Sequence, residues 1–154
     1  MPAGPMEHQR LFTVDEANAL IPRLEMAFEL LDQQRQELDR RVDQIKILDA
    51  LWGPAIQDPE NPDREEFLAQ RAAVRRAIQR IEGTLEERVL SLGVRFPAGG
   101  MEHGLVDFPT LLDDRVVYLC WQRGEPELEA WHEVDGGFRG RKPLTDEVAA
   151  RMGT

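Results

Sequence analysis

The chain has 154 residues, 42% of them hydrophobic and 31% charged, with a formal net charge of -10. That length fits one domain, or a small domain with an extended arm, and the apolar fraction can build a core, which excludes full disorder. The acidic balance sets the overall field against nucleic acid and anionic membranes, so neither is an expected partner.

No apolar run reaches the roughly 18 residues of a membrane span, and no segment resembles a signal peptide. A single cysteine cannot form an intramolecular disulfide. These features together suggest a reduced, cytoplasmic setting.

Residues 1–11 read as a disordered lead. The first helix signal is "FTVDEANAL". Thr13 is a good N-cap, Glu16 completes a capping box, and Phe12 can serve as the hydrophobic staple. Pro22 removes a backbone donor and crowds the preceding turn, which predicts a kink or a fresh helix start there. From Leu24 a seam runs through Phe28, Leu31, Leu38, Val42, Ile45 and Trp52, interrupted by Arg35 and Asp49. Its steps of four and three are those of a coiled coil. The arm would be roughly 40–55 Å long at helical rise.

"WGPAIQDPENPD" (52–63) ends that helix, because its prolines and glycine break helical hydrogen bonding. A second seam follows in Phe67, Val74, Ile78, Ile81, Leu85 and Leu92, with Arg71 and Arg88 interrupting it and Gly93 as the αL cap. Two long helices joined by a short loop predict an antiparallel hairpin over 12–94. A bare hairpin buries little, so either the C-terminal segment packs on it or a second copy does; a homodimer through the hairpin is expected, and another protein is a further possible partner. Arg71, Arg75, Arg76 and Arg80 form a basic face on the second helix, read as solvated.

After Leu92 the period shortens. "GLVDFP" (104–109), "RVVYLCW" (115–121) and "ELEAWHEV" (127–134) predict a three-stranded antiparallel meander, with "LLDD" and "QRGEP" as turns. "GGFRGRKP" is a glycine-punctuated basic loop, and Thr145 caps a short final helix. The fold class is therefore α+β: a long, coiled-coil-like antiparallel helical hairpin, then a small β module with a C-terminal helix over 95–154.

"FTVDEANALIP", "GLVDFP", "VYLCW", "GEPE", "WH" and "GFRGR", in that order, resemble an uncharacterised bacterial family, domain of unknown function 2203. The resemblance runs from Phe12 to about Leu144. It implies a small bacterial protein, helical first and then β-rich, and brings no activity, substrate or cofactor. The family's recurring positions appear as Asp107, Cys120, Trp121, Glu125, Trp131, His132, Gly137, Phe138, Gly140 and Arg141. "RFPAGGMEH", before the first strand, is richer in glycine and proline than the family's link there.

The residues that carry chemistry gather in the β module. Residues 118–134 hold the only cysteine, Cys120, together with His132, Trp121 and Trp131. Cys120 reads as a buried small hydrophobe, or as a thiolate ligand or nucleophile. His132 reads as a hydrogen-bonded strand residue, or as a ligand or base. With Trp121 opposite Glu127, Tyr118, Cys120, Ala130 and His132 share one face. Cys120 then lies opposite Leu128 and His132 opposite Val116, roughly 13 Å apart along the strand. That spacing argues against a Cys-His dyad, and a shift of one residue sends the two to opposite faces.

Asp107 sits among apolar neighbours and needs a partner, for which Arg115, Arg139 and Arg141 are available; unpaired, it would be a general acid or base. A metal site around Asp107, Cys120, Glu125 and His132, with His103 or Glu133 in reach, suits zinc or iron, although no paired ligand spacing such as CxxC occurs. Arg139, Arg141 and Lys142 could hold an anion, or tie the loop to acidic helices. Trp121 and Trp131 read as core rather than stacking platforms.

The first functional expectation is a non-enzymatic self-association or partner-binding protein. The alternative is a metal- or small-anion-binding protein, in enzymatic form or not, with its site at Asp107, Cys120, Glu125, His132 and Arg141. Nucleic-acid binding through the second helix ranks below both.

Overall fold

A computed structural model describes residues 10–153; most of the lead expected at 1–11 therefore lies outside the described residues. Among the described residues, four α-helices, α1 (Val14–Trp52), α2 (Arg64–Arg88), α3 (Gly100–His103) and α4 (Asp146–Ala149), accompany four strands, β1 (Leu105–Leu112), β2 (Arg115–Gln122), β3 (Ala130–His132) and β4 (Lys142–Pro143). The chain divides into two compact units. One takes the chain up to Met26 and from Arg88 onward, and the other is Ala27–Glu87. No described helix is long and apolar enough to cross a membrane.

The capping box closes as expected. Glu16 N donates to Thr13 Oγ1 at 3.1 Å, and Thr13 N donates to Glu16 Oε1 at 2.9 Å. The backbone bond from Thr13, then that residue's hydroxyl, hold the Glu16 carboxyl below its ordinary range, against a smaller upward pull from burial. Of the two outcomes expected at Pro22, the fresh helix start does not occur, since α1 runs through it. Leu20, Ile21 and Leu24 are buried on both sides of the proline, so packing holds the two turns together despite the lost hydrogen bond.

In the second unit, α1 and α2 form the expected hairpin. A 3-10 turn at Gly53–Gln57 ends α1, and Asn61 Oδ1 accepts from Asp63 N at 2.8 Å just before α2 begins. Leu48, Ile56 and Phe67 make a small core at this end. The face of α2 departs from the expected seam. Its buried residues are Phe67, Gln70, Ala73, Ala77 and Thr84, while Ile78 is 43% exposed. Polar bonds across the hairpin explain the rotation. Gln34 Nε2 donates to Thr84 Oγ1 at 2.9 Å and Arg41 Nη1 to Gln70 Oε1 at 3.3 Å, which brings two polar residues inward.

In the other unit the sheet is antiparallel with order β1-β2-β3-β4, one strand more than the sequence predicts. β1 continues through Leu111 and Leu112, so the turn is Asp113–Asp114 alone, both at positive φ. That is the pattern of a two-residue hairpin matched to strand twist. β3 is shorter than expected, because residues 123–129 form a loop. Gln122 N donates to Glu125 Oε1 at 2.7 Å and Trp121 Nε1 to Glu125 O at 2.9 Å, folding the chain back before β3 begins. β4 adds the basic loop to the sheet, with Trp131 opposite Lys142.

One sheet face carries Val106, Phe108, Leu119 and Trp121, all closed to solvent. Phe12 packs there, edge-on to Phe108 at 5.2 Å between ring centres. The other edge of β1 is covered piecewise. Phe12 N donates to Pro109 O, Arg95 and Asp107 exchange both backbone bonds, and Gly153 N donates to Leu111 O. An uncovered edge would offer a template for aggregation. Here the covering also brings Arg95 beside Asp107.

A buried carboxylate, thiol and imidazole in the sheet

Asp107 and Cys120 are direct cross-strand partners on β1 and β2. On the next strand His132 stands opposite Tyr118, and Cys120 stands opposite Ala130. The register differs by two residues from the one considered in the sequence. Parity is kept, so Asp107, Cys120 and His132 share a face. The levels of Cys120 and His132 close from about four residues to two, and the expected gap disappears. Ligand-type atoms of all three residues lie within 4.8 Å of one another, and all three side chains are buried.

His132 Nδ1 is 2.6 Å from Glu133 O, and Nε2 is 2.9 Å from Asp107 Oδ1. A backbone carbonyl only accepts, so Nδ1 carries a hydrogen. Nε2 faces a carboxylate oxygen and donates as well, which makes the ring an imidazolium paired with Asp107. Burial is the largest single influence on the ring and pulls its pKa down. The hydrogen bonds to Asp107, Cys120 and the Glu133 carbonyl, with the carboxylate's charge, outweigh it and raise the pKa to about 10.

The second oxygen of Asp107 accepts from Arg95 Nε at 3.3 Å, and the Arg95 guanidinium lies 3.7 Å from the Tyr118 ring centre. This corrects the expected partners. Arg115 pairs with Glu133 at 2.9 Å, Arg141 pairs with Glu125, and Arg139 is exposed. Arg95 gave no periodic signal, since it joins the sheet through an isolated bridge. The short "VRF" run before the glycine-rich link was the one hint.

Glu125 and Arg141 belong to a bracket beside the trio. Arg141 Nη2 donates to both Glu125 oxygens, at 3.0 and 3.1 Å, and to Cys120 O at 3.1 Å. Burial pulls the Arg141 pKa down, but the Glu125 hydrogen bond and neighbouring charges, with a contact to the Cys120 side chain, raise it overall. The basic loop is thus tied to Glu125 and Glu133 of the sheet unit, not to acidic helices. His103 is exposed, and Glu133 is taken up by Arg115 and Lys142; neither joins the trio. The glycine-rich link forms α3, with Gly99 and Gly104 in the left-handed region at its two ends.

The geometry limits the chemistry. Both ring nitrogens of His132 are committed and protonated, so the ring cannot take a proton from Cys120. Cys120 is itself closed to solvent, whereas a nucleophile has to meet its substrate. Trp121 and Trp131 are buried, as the core reading requires. The hairpin offers a different feature. Val74, Ile81 and Leu85 are half-buried and Ile78 is exposed, forming one aliphatic flank of α2.

The family of uncharacterized conserved proteins designated DUF2203 matches residues 10–144. No curated protein and no solved structure matches the chain.

Proposed function

From a chain that belongs to the uncharacterized conserved family DUF2203, and so inherits no activity from it, we propose a non-enzymatic protein that self-associates through its helical hairpin. The observation that carries this reading is the division of labour on α2. The helix turns Gln70, Ala73, Ala77 and Thr84 inward and leaves its larger aliphatic residues on a flank. A helix normally buries its apolar stripe, because the stripe gives most of its packing energy. A stripe left half-covered is completed by another helix of matching pattern.

The hairpin itself supplies such a helix. On α1, Leu31, Leu38, Val42 and Ile45 are also half-buried, and Ile47 and Leu51 are 51% and 68% exposed. Two hairpins packed together make a four-helix arrangement in which each aliphatic flank faces another. Charge supports the same partner. The arginines at 71, 75, 76 and 80 on α2 and the acids Asp39, Asp43 and Asp49 on α1 are all exposed, so one copy presents both signs.

Sedimentation equilibrium of the full chain tests this. The expected mass is twice the 17.6 kDa of one chain, falling to a single chain in Ile78→Asp. The near-ultraviolet signal of Trp121 and Trp131 should persist in that variant. A monomeric wild type, or an Ile78→Asp variant that stays dimeric, refutes the proposal.

A further inference from the structure

We propose that Asp107, Cys120 and His132 form a binding site for a zinc-class transition-metal ion inside the small sheet. The proposal is independent of self-association. No ligand spacing in the chain announces the site, because strand register assembles it. β1 supplies oxygen, β2 sulfur and β3 nitrogen, with the donor atoms within 4.8 Å of one another. Tetrahedral zinc, with bonds of about 2.0–2.3 Å, spaces its ligand atoms by roughly 3.3–3.8 Å. An ion would replace the Nε2–H···Oδ1 bond: that 2.9 Å pair opens by less than about 1 Å, the wider pairs close by up to about 1 Å, and the Nε2 and thiol protons are released to solvent.

Three further observations favour an ion over simple packing. First, the outer contacts are those a metal centre uses. His132 Nδ1 is held by the Glu133 carbonyl, which aims Nε2 at Asp107, and Arg95 holds the carboxylate's second oxygen. Second, the surroundings of Cys120 are polar. A cysteine acting as a small hydrophobe sits among apolar groups, whereas this thiol lies within 4.8 Å of the His132 and Asp107 ligand atoms, and the residue's carbonyl accepts from Arg141 Nη2 at 3.1 Å. Third, a carboxylate and a thiolate together carry the two negative charges that balance a divalent ion, and the mixed sulfur, nitrogen and oxygen set suits zinc better than magnesium or calcium.

The test uses the full chain freed of metal by chelation and titrated with cobalt(II). The expected result is one ion per chain, a cobalt–thiolate charge-transfer band, and loss of that band when zinc is added. Cys120 is the only cysteine, so any such band reports this site. In Cys120→Ser the band disappears and zinc affinity falls by more than the roughly 10–100-fold that losing an outer contact costs. Arg95→Ala keeps the band. A wild type that binds no cobalt, or binds it without a thiolate band, overturns the proposal, and it does so even if Cys120→Ser fails to fold.

Discussion

The imidazolium at His132 makes stability depend on pH, with a definite sign. Its pKa rises from an ordinary 6.5 to about 10 in the folded chain. A group whose pKa is raised on folding stabilises fully below its unfolded value, and that stability is lost as pH climbs to the folded value. The difference, 10 minus 6.5, gives a ceiling of about 5 kcal/mol at 1.36 kcal/mol per unit. About 3 kcal/mol of it would be lost between pH 7 and pH 9, a large share of the roughly 5–15 kcal/mol that holds a domain together. Urea unfolding of metal-free protein, followed by tryptophan fluorescence at pH steps across that window, measures the slope. His132→Gln keeps one donor toward Asp107 but cannot titrate, so it should be less stable at pH 7 and lack this part of the slope. A wild-type midpoint that holds steady or rises from pH 7 to pH 9, or one that follows the variant, would mean that the ring is neutral and the pairing with Asp107 is misassigned.

Other substitutions probe the frame around the site. Thr13→Ala removes the cap on Glu16 N and should cost about 1 kcal/mol in thermal unfolding; an unchanged midpoint would count against the capping box. Arg141→Ala releases Glu125 and Cys120 O together and should cost about 2–3 kcal/mol, with Arg141→Lys recovering only part of it. Equal stability of the lysine variant and the wild type would show that the forked geometry is not used. Gly104 and Gly83 should respond in opposite directions to alanine. At Gly104, φ is +67° and a Cβ would come within 2.6 Å of Arg123 Cβ, so the cost should reach at least about 2 kcal/mol. Gly83 has open space and a helical backbone, so alanine should add up to about 1 kcal/mol. Chemical unfolding of both variants checks the pair.

The helices were legible because their signals are local. The capping box at Thr13 and the proline-rich loop after Trp52 act within a few residues and do their expected work, whereas Gly93 takes the expected αL conformation but closes a 3-10 turn at Leu90–Leu92, because α2 already ends at Arg88. The misjudged features depend on distant contacts. Hydrophobic spacing could not show that Gln70 and Thr84 turn inward, because their partners Arg41 and Gln34 come from the other helix. Pro22 lies within α1 because neighbouring residues are buried on both sides, which propensity does not register.

The site followed the same division. Its three central residues stood out by chemical type, but alternation put Cys120 and His132 on one face in only one of the registers open to the sequence, and it did not tie Asp107 to that face. Their convergence depends on a two-residue register step, set by the loop that Glu125 folds back on β2. Arg95 escaped notice because a single bridge, with no strand of its own, brings it to Asp107.

Hydrogen exchange at several protein concentrations tests the central claim, association through the hairpin, most directly. Amides that are covered in a dimer open less often as dimer accumulates. The account predicts that protection in Arg64–Arg88 and in the α1 segment of the same unit rises with concentration, while protection in Leu105–Leu112 and Arg115–Gln122 stays constant. Protection independent of concentration throughout, or a rise confined to the strands, would contradict it.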